Sequence, residues 1–447
     1  MVYFLQKGQQ YAIIKRMETI VALATPAGNS GVAVIRISGE KSKQILQLMI
    51  GEKLDFEPRK MYFKKVTAKS IVDDALVVYF SAPNSFTGED VAEIQSHGGY
   101  FLAQKIVEQC IEYGAVLATR GEFSKRAFIN GKMSMDQAEG IMDLISAESD
   151  MQAKMGSSLL QGKLKTYIEE NQNKLTDLLA EMEAKLDYPE YDYSTEEIDG
   201  NLKKIEDITK TLKNLIADSK NGLTIKNGVK VAIVGAPNVG KSSLLNALTK
   251  SNKAIVTDIA GTTRDVVEAE YEFNGIIFRL FDTAGIHEST DVVEQIGITR
   301  AKETLQTCDL VLLVSDKDNL CELKTNKPSI KIFNKVDLYS PKNAQNYVLV
   351  SATTGENVDT LKQLIFDATI TGEIDQNKLF LTNTRHIECV KSAIKHLEKA
   401  KEIFNTTTLD IVSAEIKQAW LSLGEITGSS SDETIIDRVF AKFCLGK

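Results

Sequence analysis

The stretch Gly235-Ala-Pro-Asn-Val-Gly240-Lys241-Ser242-Ser243 constrains this chain more than any other. An apolar run, Val229–Val234, precedes it and reads as a short buried strand, and a helical pattern runs from Lys241 to Leu248. Strand, glycine loop and helix in that order are the context of a phosphate-binding loop. The glycines let backbone N–H groups curl around an oxyanion, and the helix N-terminus adds partial positive charge. Lys241 can reach terminal phosphates and the Ser242 hydroxyl can ligate Mg²⁺, with Asn238, Val239, Gly240 and Ser243 completing the loop.

Downstream motifs turn a nucleotide loop into a guanine site. Asn334-Lys335-Val336-Asp337 follows the apolar strand Ser329–Phe333. The Asp337 carboxylate can accept from guanine N1–H and the exocyclic amine together, a donor pair that adenine lacks. Asp282-Thr283-Ala284-Gly285 ends another strand and suits a water-mediated Mg²⁺ contact and sensing of the γ-phosphate. Thr262-Thr263 can complete the metal shell, and Ser351-Ala352-Thr353, after strand Tyr347–Val350, backs the base. Five elements in this order imply a GTP-binding domain.

At 447 residues the chain has room for two or three domains. A net charge of −8 argues against bulk attraction to nucleic acid, so an RNA contact needs a local basic face. Five scattered cysteines (Cys110, Cys308, Cys321, Cys389, Cys444) without a CxxC fit a reduced, cytoplasmic setting, and four separated histidines form no zinc pattern. The apolar runs are far short of a membrane span. Met1–Arg16 lacks a signal-peptide apolar region and reads as a disordered or misassigned extension in preference to a mitochondrial presequence, since it is acid-poor but has one arginine and no serine, with Met17 an alternative start.

The reading is multidomain. Residues 18–134, with strands at Ile20–Ala24, Val32–Ile37, Met61–Val66, Ala75–Phe80 and Val91–Gln95 and helices at Lys41–Ile50 and Phe101–Tyr113, form an α+β domain. Two polar, glycine-rich stretches, Ala82–Glu93 and Arg120–Lys132, read as capped surface loops. Leu175, Leu178, Leu179, Met182 and Leu186 mark one helical face, and Leu202, Ile205, Ile208, Leu212 and Leu215 another that ends near Asn221-Gly222. The pattern returns at Ile387, Val390, Ile394 and Leu397 and continues to Phe443. Residues 135–228 and 372–447 are therefore one discontinuous α-helical bundle, interrupted by an inserted Ras-like α/β P-loop G domain at 229–371. Within it, Val266–Phe273, Asn274-Gly275 and Ile276–Phe281 predict a two-residue hairpin. A helix is expected over Asp291–Cys308. The connections Asp316–Lys327 and Leu338–Asn346 are short for the helices that normally cover those faces.

The hydrolytic residues are less plain. The position after Gly285, where Ras-like enzymes carry a water-orienting glutamine, is Ile286. Arg264 is a candidate arginine finger, and Glu288, Asp291 and Glu294 are candidate carboxylates just downstream. Acidic residues at a helix start usually only complement its dipole.

Thr25-Pro-Ala-Gly, Val34-Ile-Arg-Ile-Ser-Gly39, Asn84-Ser-Phe-Thr-Gly-Glu-Asp90, Gly121-Glu-Phe-Ser-Lys-Arg-Ala-Phe128, Asp258-Ile-Ala-Gly-Thr-Thr-Arg-Asp265, Gly424-Glu-Ile-Thr-Gly428 and the terminal Phe-Cys-Leu-Gly-Lys resemble the MnmE (TrmE) family of tRNA-modifying GTPases. The likeness runs from Glu18 to Lys447. It implies a bacterial-type or organellar homodimer whose G domains pair across the nucleotide with K⁺ in place of an arginine finger, and which, in a heterotetramer with a flavin-dependent partner, MnmG, modifies the wobble uridine of certain tRNAs. A tetrahydrofolate derivative (formyl or methylene) would donate the carbon, held by Arg36, Glu93, Lys132 and Lys447 in an N-terminal folate-binding and dimerisation domain. The resemblance lays the loop Thr257, Asp258, Ile259, Ala260, Gly261 and Thr262 against the nucleotide, with K⁺ on Asn238, Thr257, Ile259 and Thr262 and Mg²⁺ on Ser242 and Thr263. It singles out Glu294 as the water-orienting residue and marks Cys444 as a thiol relevant to modification. The competing expectation is a regulatory or ribosome-assembly GTPase without covalent chemistry, which should carry a basic RNA-binding module instead.

Overall fold

The computed structural model describes residues 18–187, 194–250, 269–282, 305–317, 319–321, 325–339, 346–370 and 378–446. They fall into two compact units, one within Met1–Met142, Leu159–Ala184 and Ile416–Lys447, the other within Asp143–Ser158 and Lys185–Glu415.

The first unit is built on a six-stranded sheet: β1 (Ile20–Leu23), β2 (Val32–Ser38), β3 (Met61–Ala68), β4 (Ile71–Phe80), β5 (Val91–His97) and β6 (Val116–Leu117). The spatial order is β3-β4-β5-β2-β1-β6, antiparallel except for the β1–β6 pair. Helices α1 (Ser42–Ile50) and α2 (Tyr100–Glu112) cover one face, and Ile35, Ile37, Ile45, Met49, Ile94 and Ile106 close the core between them. Alternation along β2 sends Ile35 and Ile37 into that core and turns Arg36 to the opposite face, where β5 sets Glu93 directly across from it.

The stretch Arg120–Lys132 departs from the loop expected there. It contains a helix, α3 (Glu122–Ile129), with Phe123, Ser124, Arg126 and Ala127 buried. A buried arginine on its inner face masks the apolar period; Arg126 is held by Glu89, Glu122 and the Glu18 carbonyl. Helices α4 (Met135–Ile145) and α12 (Glu433–Phe440) join α3 through Met135, Ala138, Ile436, Val439, Phe440 and Phe443. Helix α5 (Asp150–Leu160) is followed by α6 (Lys163–Asp187). On α6, Gln172 donates to the Trp420 carbonyl of α11 (Leu409–Thr427) at 2.9 Å, so segments far apart in sequence share one bundle.

The second unit holds a sheet of β7 (Val229–Val234), β8 (Ala269–Phe273), β9 (Ile276–Asp282), β10 (Leu310–Ser315), β11 (Ser329–Phe333) and β12 (Val348–Leu349), ordered β12-β11-β10-β7-β9-β8. All pairs are parallel except β8–β9, the Ras-like arrangement. The hairpin turn has Asn274 at φ 51° and Gly275 at φ 82°, as an Asn-Gly pair in a type I′ turn requires. Helices α8 (Lys241–Thr249) and α9 (Val358–Thr369) flank the sheet, and Leu244, Leu248, Leu361 and Ile365 enter its core.

Helix α7 (Thr195–Asn227) starts at a capping box in which Ser194 and Glu197 satisfy each other's backbone amides. It does not stop at Asn221-Gly222 but continues to Asn227. Gly222 serves close packing instead: a Cβ there would come 2.6 Å from the Leu381 carbonyl oxygen. Helix α10 (Thr384–Ile403) lies along α7, tied by Lys213–Glu398 at 2.6 Å and Lys401–Glu206 at 3.3 Å. Helices on either side of the G domain in sequence thus pack together, as a discontinuous helical domain demands. Among the described residues, none of the helices is long and apolar enough to cross a membrane.

Candidate functional site

The parallel strands of the second unit deliver the motif residues to one edge of the sheet. Ile233 on β7 lies beside Asp282 on β9, Val234 beside Leu313 on β10, Ser315 beside Phe333 on β11, and Phe333 beside Leu349 on β12. The phosphate loop, Asp282, Asp316, Asn334 and Ser351 therefore all lie at or just past the C-terminal ends of these strands, where open α/β sheets bind ligands.

The loop is shaped for close approach. Gly240 is the N-cap of α8, at φ 93°, and among the described residues no side chain caps the helix. Its first-turn amides are therefore open to an anion. A Cβ on Gly240 would come 2.4 Å from Asn334 Nδ2, and one on Gly235 would come 2.4 Å from the Val314 carbonyl, so both positions require glycine. Asn238 takes φ 65°, and Lys241 Nζ lies across the loop, donating to the Gly235 and Ala236 carbonyls at 2.9 and 3.1 Å. Ser242 and Ser243 are exposed beside it.

Asn334 is the link between the two halves of the site. Buried, it donates to the Val239 carbonyl at 2.9 Å and accepts from the Ala352 amide at 3.1 Å, tying phosphate loop and base-backing loop together. Lys335, at φ 67°, donates to the Asn238 carbonyl at 2.5 Å and to Asp316 at 2.8 Å. Ser351 Oγ donates to Asp337 Oδ1 at 2.6 Å, leaving the exposed carboxylate aimed but able to accept further. Asp316 was not anticipated; an acid directly after a buried strand was its only signal. Open helix amides for phosphate and a braced carboxylate for paired donors fit a guanine nucleotide. Thr353 is exposed at the rim. Thr257, Asp258, Ile259, Ala260, Gly261, Thr262, Thr263, Arg264, Thr283, Ala284, Gly285, Ile286, Glu288, Asp291, Glu294 and Lys447 lie outside the described residues.

The first unit carries a separate cluster. Arg36 Nε donates to Glu93 Oε1 at 2.8 Å, both largely buried, and the guanidinium lies 5.3 Å from the Phe86 ring centroid and 5.8 Å from that of Phe123. Lys132 donates to the Pro83 carbonyl at 3.0 Å on the same loop as Phe86. The C-terminal tail arrives nearby: the Gly121 amide donates to the Cys444 carbonyl at 3.4 Å, and a Cβ on Gly446 would come 2.3 Å from the Leu23 carbonyl, at the end of β1. Cys444 is exposed. Phe86 and Phe123, absent from the sequence reading of this site, lie against the Arg36 guanidinium, Phe123 fully buried beneath it.

Sheet order and loops define a P-loop protein of the guanine-nucleotide-binding class. Family models described as MnmE helical domain and as GTP-binding protein TrmE N-terminus match residues 135–444 and 19–132. The chain belongs to the MnmE (TrmE) family. It is 39% identical over 457 residues to the tRNA modification GTPase MnmE of Acetivibrio thermocellus, covering 96% of this chain and 99% of that one. To the protein of the same name from Streptococcus thermophilus it is 38% identical over 458 residues, covering 98% and 100%. Among solved structures it is similar to Aquifex aeolicus Era bound to GDP·AlF4⁻ (29% identity, 38% of this chain and 67% of that one, TM-score 0.26). It is also similar to the Methanococcus jannaschii FeoB G-domain (27%, 32% and 97%, 0.25).

Proposed function

We propose that this chain hydrolyses GTP and, with a flavin-dependent MnmG-type partner, takes part in adding an aminomethyl or carboxymethylaminomethyl group to C5 of the wobble uridine of certain tRNAs. The observation that carries the reading is the Asn334 link, which joins an open phosphate loop to a braced guanine acceptor in a chain that is MnmE-like over nearly its whole length.

Bound GTP supplies the phosphoanhydride that is cleaved. The chain's residues hold it: α8 amides and Lys241 at the phosphates, Asp337 at the base, and Ser242 and Thr263 toward Mg²⁺. Asn238, Thr257, Ile259 and Thr262 would hold K⁺, and Glu294 would orient the water. In the N-terminal domain (18–134), Arg36, Glu93, Lys132 and Lys447 would hold a tetrahydrofolate derivative. Residues 135–228 and 372–447 would carry helical movement from the G domain (229–371), and the chain would act as a cytoplasmic homodimer.

The test is wobble-nucleoside mass spectrometry of tRNA from a strain lacking this chain. The modified uridine is expected to disappear and to return with the wild-type gene. An unchanged wobble position in the deletion strain would move the protein to the regulatory class of GTPase.

A further inference from the structure

In the second unit, the hairpin that delivers Asp282 is fastened at its far end to two helices. Arg279, on β9 three residues before Asp282, donates through Nε to Glu270 on β8 at 2.8 Å. One terminal nitrogen donates to the Asn227 carbonyl, the last residue of α7, and the other to Glu148, just before α5. Around the turn, Ser149 Oγ donates to the Gly275 carbonyl at 2.7 Å. Gln152 donates to the Ile225 and Lys226 carbonyls, each at 3.1 Å, so the start of α5 also caps the end of α7. Lys226 pairs with Asp143 at 2.7 Å beside an open pocket of about 30 Å³ lined by Gln152, Met155 and Thr382.

One planar guanidinium thus spans three acceptors, on β8, at the end of α7 and just before α5. Its donors are fixed in a rigid fork, and hydrogen bonds weaken steeply with displacement and misalignment. Strand β9 cannot shift against α5 and α7 without breaking part of this set. We propose that Arg279 is a positioning residue that passes the nucleotide-dependent position of β9, and of Asp282 at its end, to the start of α5 and the end of α7. The chain leaves this unit within α5, after Ser158, so the fork grips a segment that leads on into the other unit. The proposal rests on the GTP-hydrolysing reading above.

The experiment is hydrogen exchange of the full chain with GDP and with a non-hydrolysable GTP analogue, read on peptides spanning 143–158 and 219–228, after nucleotide affinity has been measured. Wild type is expected to show an exchange difference between nucleotides of about tenfold, the scale of one charge-assisted hydrogen bond. Glu148→Ala removes the acceptor and leaves the G-domain side untouched; it should erase that difference at 143–158 with nucleotide affinities unchanged. Arg279→Lys, which retains the charge but not the fork, should act likewise. A nucleotide-dependent difference of wild-type size in Glu148→Ala overturns the proposal. So does exchange raised equally with both nucleotides, the mark of a merely structural contact, and so does a wild type that binds both nucleotides without any difference. A wild type that binds neither nucleotide sinks the GTP reading itself, a distinct result.

Discussion

Asp337 has one carboxylate oxygen engaged by Ser351 at 2.6 Å, which restrains the group while leaving it able to accept further hydrogen bonds. Guanine N1–H and its amine would give two charge-assisted hydrogen bonds of about 1.5–3 kcal/mol each. In Asp337→Asn the Ser351 bond survives on the amide oxygen, but the amide NH₂ then faces donors. GTP binding should weaken by about 3 kcal/mol or more, while xanthine nucleotide, with a carbonyl at that position, should bind better than GTP. Equal relative affinities in wild type and variant, by calorimetry or displacement, would remove Asp337 from the base site. Asp337, Asn334 and Lys241 were legible because their chemistry requires those residue types at those spacings. Asp316, which holds Lys335, and Phe86, which faces Arg36, were not, because either could be any acid or aromatic near a strand end until the fold brings its partner close.

The strands β7 and β11 match their sequence limits to the residue, because each is a mostly apolar run that ends at a polar or glycine loop. The two-residue β6 is too short to show a period, and α9 was given no element at all. Antiparallel pairing supplies what motifs cannot, the register that sets Arg36 against Glu93. The pair also makes the proposed folate cluster separable by substitution. Lys132 is exposed and bonded to one loop carbonyl, so Lys132→Ala should lose about 1.5–3 kcal/mol of folate binding with little change in melting temperature. Arg36→Ala should lose folate binding too, but it also leaves Glu93 partly buried without its cation and should lower stability by about 1–3 kcal/mol. GTP affinity should stay at the wild-type value in both. Folate binding unchanged by calorimetry in both variants would take the ligand away from this cluster.

At the scale of the whole molecule the open question is what neutralises charge on the phosphates during hydrolysis. Ile286 stands where a glutamine would orient water, and the chain shows only Arg264 as a candidate finger. A monovalent ion held by Asn238 and the loop Thr257 to Thr262 would supply positive charge near the β- and γ-phosphates, where an arginine otherwise acts. Oxygens spaced for K⁺ close poorly around the smaller Na⁺, so the loop would not settle and two G domains would not meet across their nucleotides. Glu294 would then orient water directly or through a second water, a role worth about 10²–10⁴-fold in rate. Hydrolysis is therefore expected to be fast in KCl and slow in NaCl at equal ionic strength. Glu294→Ala should be slow in both salts with GTP affinity intact, whereas Glu288→Ala and Asp291→Ala should stay near wild type. Equal rates in the two salts would leave potassium without a role. An active Glu294→Ala enzyme would return the choice to the other two carboxylates, because losing a group that acts only in the transition state slows the reaction without weakening GTP.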